Sequence, residues 1–329
     1  MTESGLREPN PNALSVGPPG SELAMSPPGP ADPSELTYQY GLEIEARSQW
    51  AYARRRFMRH RLALGSLILL LAIFGCGLFA NFIAPYTYQQ INLESLSVPP
   101  SSKHLFGTDS AGRDSLSRVL YGIRTSARVG VLVGVLSTLI GTIIGGLAGF
   151  YGGWIDNLLM RVTDLFLTLP LLAVLLVSAK YIGHSTPLKL ALLLAALIWT
   201  QIARVVRGSF LSLREKEYIE AARAAGAGDL RIMLRHMLPN TVGPIVVSAT
   251  LTIGTAILLE AVLSFLGFGI EPPTPALGAL LNEGQDQGLD KWWLVTFPGV
   301  VIVVIVLCIN FVGDGLRDAL DPTQRRVRA

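Results

Sequence analysis

Long apolar runs separated by short charged segments dominate the chain, with no sustained alternation of apolar and polar residues. A bilayer core of about 30 Å takes roughly 20 apolar residues of helix, more than an ordinary soluble core helix uses. By that measure the pattern predicts six spans, near 62–84, 126–150, 158–178, 188–206, 241–266 and 293–316. Asp164 stands inside the third and Arg204 near the end of the fourth, so four spans plus buried segments is the rival count. Residues 1–48 differ in kind. Their eight prolines, mixed with Gly, Ser and Glu, leave too little apolar surface to offset the entropy of ordering, which predicts a disordered tail.

Composition agrees with a membrane protein: 329 residues, 50% hydrophobic, only 16% charged, with a net charge of +3. The distribution of charge orients it. Arg54, Arg55, Arg56, Arg59 and Arg61 crowd the start of the first span, and Arg325, Arg326 and Arg328 follow the last. The segment 267–290 instead holds Glu271, Glu283, Asp286 and Asp290 without a Lys or Arg. Positive residues on the inner side place both termini in the cytoplasm. The segment 85–125 then lies outside despite Lys103, Arg113, Arg118 and Arg124, its length weakening the rule. Because the arginine clusters all flank spans, they argue against nucleic acid as a partner. The first span begins too far into the sequence for a cleaved signal and is expected to remain as an anchor. Cys76 and Cys308 each fall within a span and predict buried thiols, not a disulfide framework or a metal cluster.

Motifs for phosphate binding, zinc proteolysis and serine esterase chemistry (G-x-x-x-x-G-K-[ST], H-E-x-x-H and G-x-S-x-G) do not occur. No catalytic, cofactor-binding or metal-binding residue is therefore assigned. "HLFGTDSAGRD" gathers His104, Thr108, Asp109, Ser110 and Asp114, but its spacing fits no nucleophile, base and orienter arrangement. Gly107 and Gly112 among short polar residues predict a turn-rich outer loop whose Asp and Ser side chains bond to nearby backbone.

The stretch "EYIEAARAAGAGDLRIMLRHMLPN", Glu217 to Asn240, interrupts oily sequence with charge and alanine. Leu230, Met233, Leu234, Met237 and Leu238 recur at the spacing of one helical stripe. The spacing predicts a short amphipathic helix capped by Asp229 and ending near Leu238, because Pro239 disfavours helical geometry in the residue before it. A preceding helix ends at Gly226, suited to a left-handed terminus. At about 1.5 Å per residue each arm is roughly 15 Å long, too short to cross a bilayer. These properties alone fit either a docking element for a partner or a hairpin lying on lipid headgroups.

This stretch resembles the cytoplasmic loop of ABC importer permease subunits, in which Glu-Ala-Ala, Gly and Leu-Pro stand at set intervals. Glu220, Ala221, Ala222, Gly226, Leu238 and Pro239 match in register, and His236 stands where the general pattern has Ile. "HLFGTDSAGRDSLSRVLYGIRTS", "DLFLTLPLL", "LSFLGFGIEPPTPALGALLNEG" and "WWLVTFPGVVIVVIVLCINFVGDGLRDALDP" extend the likeness over roughly residues 50–322. It is closest to the C-type subunit of the dipeptide and oligopeptide branch. The resemblance implies an all-α, six-span type I importer permease fold with a coupling helix between spans four and five. With the proline-rich tail (1–48), which is not part of the family pattern, the chain divides into that tail, a first span with its outer loop (49–125), a permease domain (126–318) and a cytoplasmic end (319–329). Glu220, Ala221, Ala222, Gly226, Asp229, Met233, Leu234, Leu238 and Pro239 would form the ATPase-coupling loop.

The implied partners are a second permease subunit in a heterodimer, one or two ATPase subunits carrying ATP and Mg, an extracytoplasmic peptide-binding protein and membrane lipid. The implied site is a bacterial inner or plasma membrane. The implied cargo is a dipeptide or oligopeptide, with nickel, glutathione or another small solute as the alternative. A different class, an ion-coupled secondary transporter, would show several intramembrane ionisable groups or paired broken helices. Beyond Glu260, in the fifth span, the sequence offers little of either. Glu260 is a pathway candidate or a structural carboxylate bonded to neighbouring helices. In the second span, Gly130, Gly134, Gly141, Gly145 and Gly149 allow close helix packing, expected within this subunit.

Overall fold

The computed structural model describes residues 49–183 and 186–320. The expectation for the tail at 1–48, and that for the cytoplasmic end from 321 onward, lie outside the described residues. Regular structure among the described residues is helical, with only an isolated bridge between Thr108 and Asp114.

Helix α1 (Gln49–Arg59) carries the arginine cluster and α2 (Arg61–Leu78) the first apolar span, extended by a short helical turn at Ala80–Ile83. His60 separates α1 from α2, and its Nδ1 accepts from the Ala63 amide at 3.1 Å, capping α2. Helix α3 runs from Ser115 to Tyr151, 37 residues and about 55 Å at the α-helical rise. The second span therefore starts well before the expected 126. Asp114 starts it early, its Oδ2 accepting from the Ser117 amide at 2.8 Å.

The two spans weakened by Asp164 and Arg204 are the two that break. Helices α4 (Gly153–Thr168) and α5 (Leu171–Ile182) meet at 84°, and α6 (Pro187–Ile198) and α7 (Thr200–Arg214) at 44°. Pro170 accounts for the sharper bend: Leu169 before it is extended, as the residue preceding proline prefers. After α8 (Glu217–Ala224) comes the 37-residue α9 (Asp229–Phe265). The short α10 (Leu277–Asp286) and α11 (Trp293–Leu320) complete the fold. Helices α2, α3, α9 and α11 are long and apolar enough to span, and six is reached when each bent pair counts as one.

The α3 glycines set the packing. A Cβ at Gly130 would meet Ile257 Cγ1 at 2.5 Å, and one at Gly134 would run into Ile253, so this end of the stripe receives α9. The other end receives α7: Gly141 faces Ile202 and the Trp199 carbonyl, Gly145 the Ala203 backbone, and Gly149 Phe210 and the Arg207 carbonyl. With no side chain between them, the helix backbones approach closely and gain dispersion contacts that lipid cannot match. The expected packing within the subunit is what the chain adopts.

Candidate functional site

Helix α8 ends in a geometry that only a residue at ease with positive φ supplies. Gly226 has φ +79°, its amide donates to the Arg223 carbonyl, and the Ala227 amide donates to the Ala222 carbonyl, each at 3.0 Å. That pair of bonds is a Schellman motif, satisfying carbonyls the helix end would otherwise strand. Here the expected turn and the observed one coincide.

The following arm differs from expectation in three respects. Asp229 is not the cap: Gly228 holds that position, no side chain caps the helix, and Asp229 is the first helical residue. Its carboxylate still lies where the helix dipole favours negative charge. The helix also does not stop at Leu238. It passes through a π-helical turn, Ile232–Met237, directly into Leu238–Phe265. Pro239 sits in the first turn after the π segment. Asn240 Nδ2 donates to His236 O at 2.6 Å and Thr241 Oγ1 to Met237 O at 2.9 Å. Thirdly, the expected stripe divides. Met237 is fully buried and Met233 and Leu238 pack on a cluster with Ile219, Ile232 and Phe210, whereas Leu230 and Leu234 are 68% and 55% exposed. Glu220, Ala221 and Ala222 lie on α8 just before the turn, and Ala222, Gly226, Ala227, Arg231 and Arg235 border an open hollow beside it.

The loop at 104–114 does more than turn. Gly107 and Gly112 both have φ +72°, and Asp109 Oδ1 accepts from the Ala111 and Arg113 amides at 2.9 Å, as short-range bonding requires. Asp109 Oδ2 then takes Arg113 Nε at 2.7 Å and Arg118 Nη1 at 2.8 Å. Glu283, on α10, accepts from both arginines. Asp114 accepts from Ser117 Oγ and pairs with His104 Nδ1, both at 2.8 Å. The serine on Asp114 is thus Ser117, and Ser110, the serine of the candidate set, makes no side-chain hydrogen bond to His104 among the described residues, so no nucleophile and base are paired. Among the described residues, no three His, Cys, Asp or Glu side chains are gathered where they could hold a metal ion.

Within the helices two further polar constellations stand out. Glu260 is fully buried and accepts from Ser126 Oγ of α3 at 2.6 Å and from Ser264 Oγ at 2.8 Å. It is bonded between helices α3 and α9. Asp164 and Arg204, in adjacent weak spans, are partners at 2.6 Å. Asp156 and Arg207 form a second bridge between α4 and α7, with Nη2 to Oδ2 at 2.6 Å and Nε on the other oxygen. The sequence signal for these bridges was present, opposite charges in neighbouring apolar runs, but nothing in it set which pairs meet.

Comparison with known proteins supplies the remaining context. The family described as the binding-protein-dependent transport system inner membrane component matches residues 141–326, and the N-terminal transmembrane domain of oligopeptide transport permease C matches residues 48–100. The oligopeptide transport system permease protein OppC of Escherichia coli (strain K12) is 43% identical over 286 residues, 86% of this chain and 94% of that protein. OppC of Mycobacterium tuberculosis (strain ATCC 25618 / H37Rv) is 41% identical over 275 residues, 83% of this chain and 94% of that one. Among solved structures, an inward-facing MetNI methionine ABC transporter superposes with a TM-score of 0.51 at 23% identity, covering 63% of this chain and 97% of its own. At that identity the likeness concerns the fold, that of a type I importer permease.

Proposed function

The chain belongs to the family of binding-protein-dependent transport system inner membrane components, and from that premise we infer that it is a permease subunit of an ATP-driven peptide importer, forming half of the translocation path. As a multi-pass membrane component of a binding-protein-dependent system, it draws its energy from partners. ATP and Mg are held on cytoplasmic ATPase subunits, a second permease subunit completes the path, and an extracytoplasmic binding protein delivers peptide. Both termini face the cytoplasm, following the arginines that flank the spans.

The observation that carries the coupling role is the exposed pair Leu230 and Leu234 at the tip of a helix that is also a span. Apolar side chains held outside the membrane and away from the subunit's own core favour a groove on another protein. Because α9 is continuous from Asp229 to Phe265, displacement at that tip is passed to the membrane segment without an intervening loop. The Gly226 turn and α8 complete the coupling loop, with Glu220, Ala221 and Ala222 on one arm and Asp229, Met233, Leu234, Leu238 and Pro239 on the other. ATP-driven closure of the motor then favours one permease conformation over the other through differential contacts at this element.

The test is the assembled importer carrying Leu230→Asp with Leu234→Asp. Membrane abundance is expected to persist while copurifying ATPase and labelled-dipeptide uptake are lost, because a charge buried in the groove has no partner. Full ATPase recovery with normal uptake would reject the docking role. Parallel assays with nickel and glutathione separate peptide from the alternative cargoes.

A further inference from the structure

The fourth span changes solvent at its bend. On α6 the exposed positions include Leu188, Leu192 and Ala196, a face suited to lipid. Beyond Trp199 the pattern inverts. Ile202, Ala203 and Phe210 of α7 turn inward onto the α3 glycines and Val206 is buried, while Gln201, Arg204 and Gly208, with Val205 beside them, remain exposed. Gln201, Arg204 and Gly208 follow one another at i, i+3 and i+7, so they share one helical face. A membrane-depth helix that buries its apolar face and exposes its polar one is arranged for water or a polar partner, since hydrocarbon would leave those groups unsatisfied.

The two bridges from α4 to α7 are unequal. Asp156 gives both oxygens to Arg207 and is closed, with the aspartate largely buried. Asp164 and Arg204 share a single bond, Nη2 to Oδ1, and their side chains are 50% and 49% exposed. Asp164 Oδ2 and the Nε and Nη1 of Arg204 make no hydrogen bond among the described residues. The open pair therefore presents one free acceptor and a guanidinium edge side by side on the polar face. A carboxylate fits the second, and an ammonium group the first. Arg204 lies roughly 15 Å along α7 from Arg214, deep enough that an exposed ion pair facing lipid would be costly.

We propose that Gln201, Arg204 and Gly208 line the water-filled translocation path, and that the open Asp164–Arg204 pair is a binding position for the charged termini of a passing peptide. The proposal rests on the peptide-importer reading. Each terminus exchanges for one member of the pair, so a zwitterion is held without leaving a charge unpaired, and weakly enough to be released.

The test uses the complete importer in nanodiscs, on a background free of Cys76 and Cys308. Single cysteines at Gln201, Gly208 and Leu192 are treated with a charged, water-soluble methanethiosulfonate. Gly208 has open space where a Cβ would go, so its replacement leaves packing intact. Labelling at 201 and 208 but not at 192 is expected, and saturating peptide should slow labelling at 208. In proteoliposomes, Asp164→Asn and Arg204→Gln should each lower uptake by about tenfold, the loss of one charge-assisted hydrogen bond, with ATPase copurification unchanged. Equal labelling at all three positions, or wild-type uptake by both neutral variants, overturns the proposal. Failure of the unsubstituted importer to carry any peptide would instead reject the peptide reading, while labelling still tests whether the face is wet.

Discussion

Arg118, in the first turn of α3, and Glu283, on α10, lie 165 positions apart and close through two hydrogen bonds of 2.6 and 2.9 Å. Arg118 is nearly buried and also holds Asp109. The fork geometry of the guanidinium thus ties the loop at 104–114, the start of α3 and α10 into one block.

Glu283→Gln should loosen that block without dissolving it, because Asp109 still neutralises Arg118. A loss of about 1–3 kcal/mol is expected from the weakened charge-assisted bonds. Arg118→Met should cost more, leaving the buried Asp109 with Arg113 as its remaining cation. Thermal inactivation of the detergent-solubilised complex ranks the two, and the order is the diagnostic.

Two glycines of similar appearance should respond oppositely to alanine. At Gly145 a Cβ would run into the Ala203 backbone, and backbone cannot yield as a side-chain end can, so overpacking of about 1–3 kcal/mol is expected. At Gly208 nothing lies within 4 Å, and alanine should be neutral or slightly stabilising through helix propensity. Midpoints of thermal unfolding for the two variants check this directly.

At Gly226 the penalty is conformational. Open space surrounds the position, but φ is +79°. Gly226→Val should cost about 1–2 kcal/mol locally and weaken ATPase copurification, whereas Gly226→Asn, which tolerates the left-handed region, should retain most of it. Equal recovery of ATPase with both variants would show that the turn geometry is not used in docking.

Glu260 separates structure from transport. Glu260→Ala strips both Ser126 and Ser264 of their acceptor and opens a void, at roughly 2–5 kcal/mol. Glu260→Gln keeps an acceptor oxygen in nearly the same place, so stability and uptake should both stay near wild type. A stable Gln variant with abolished uptake would make Glu260 a pathway residue after all.

Features that depend on a few neighbouring residues were legible from the chain alone. Apolar run length determined the number of spans to be sought, Gly226 with its alanines determined a left-handed helix end, and the glycine spacing of α3 determined a close-packing face. Each follows from backbone sterics or helical periodicity over short distances. Tertiary structure decided what those rules leave open. Pro239 marked a helix end in isolation, yet the helix runs past it through a π-helical turn. The stripe from Leu230 to Leu238 has one period but two environments, because packing on Ile219 and Phe210 claims Met237 and leaves Leu234 outside. Asp164 and Arg204 each weakened a span when considered singly, and only the fold brings them within 2.6 Å. Periodicity within a segment orients its own face, whereas the partner of a charge is set by whichever distant segment packs against it.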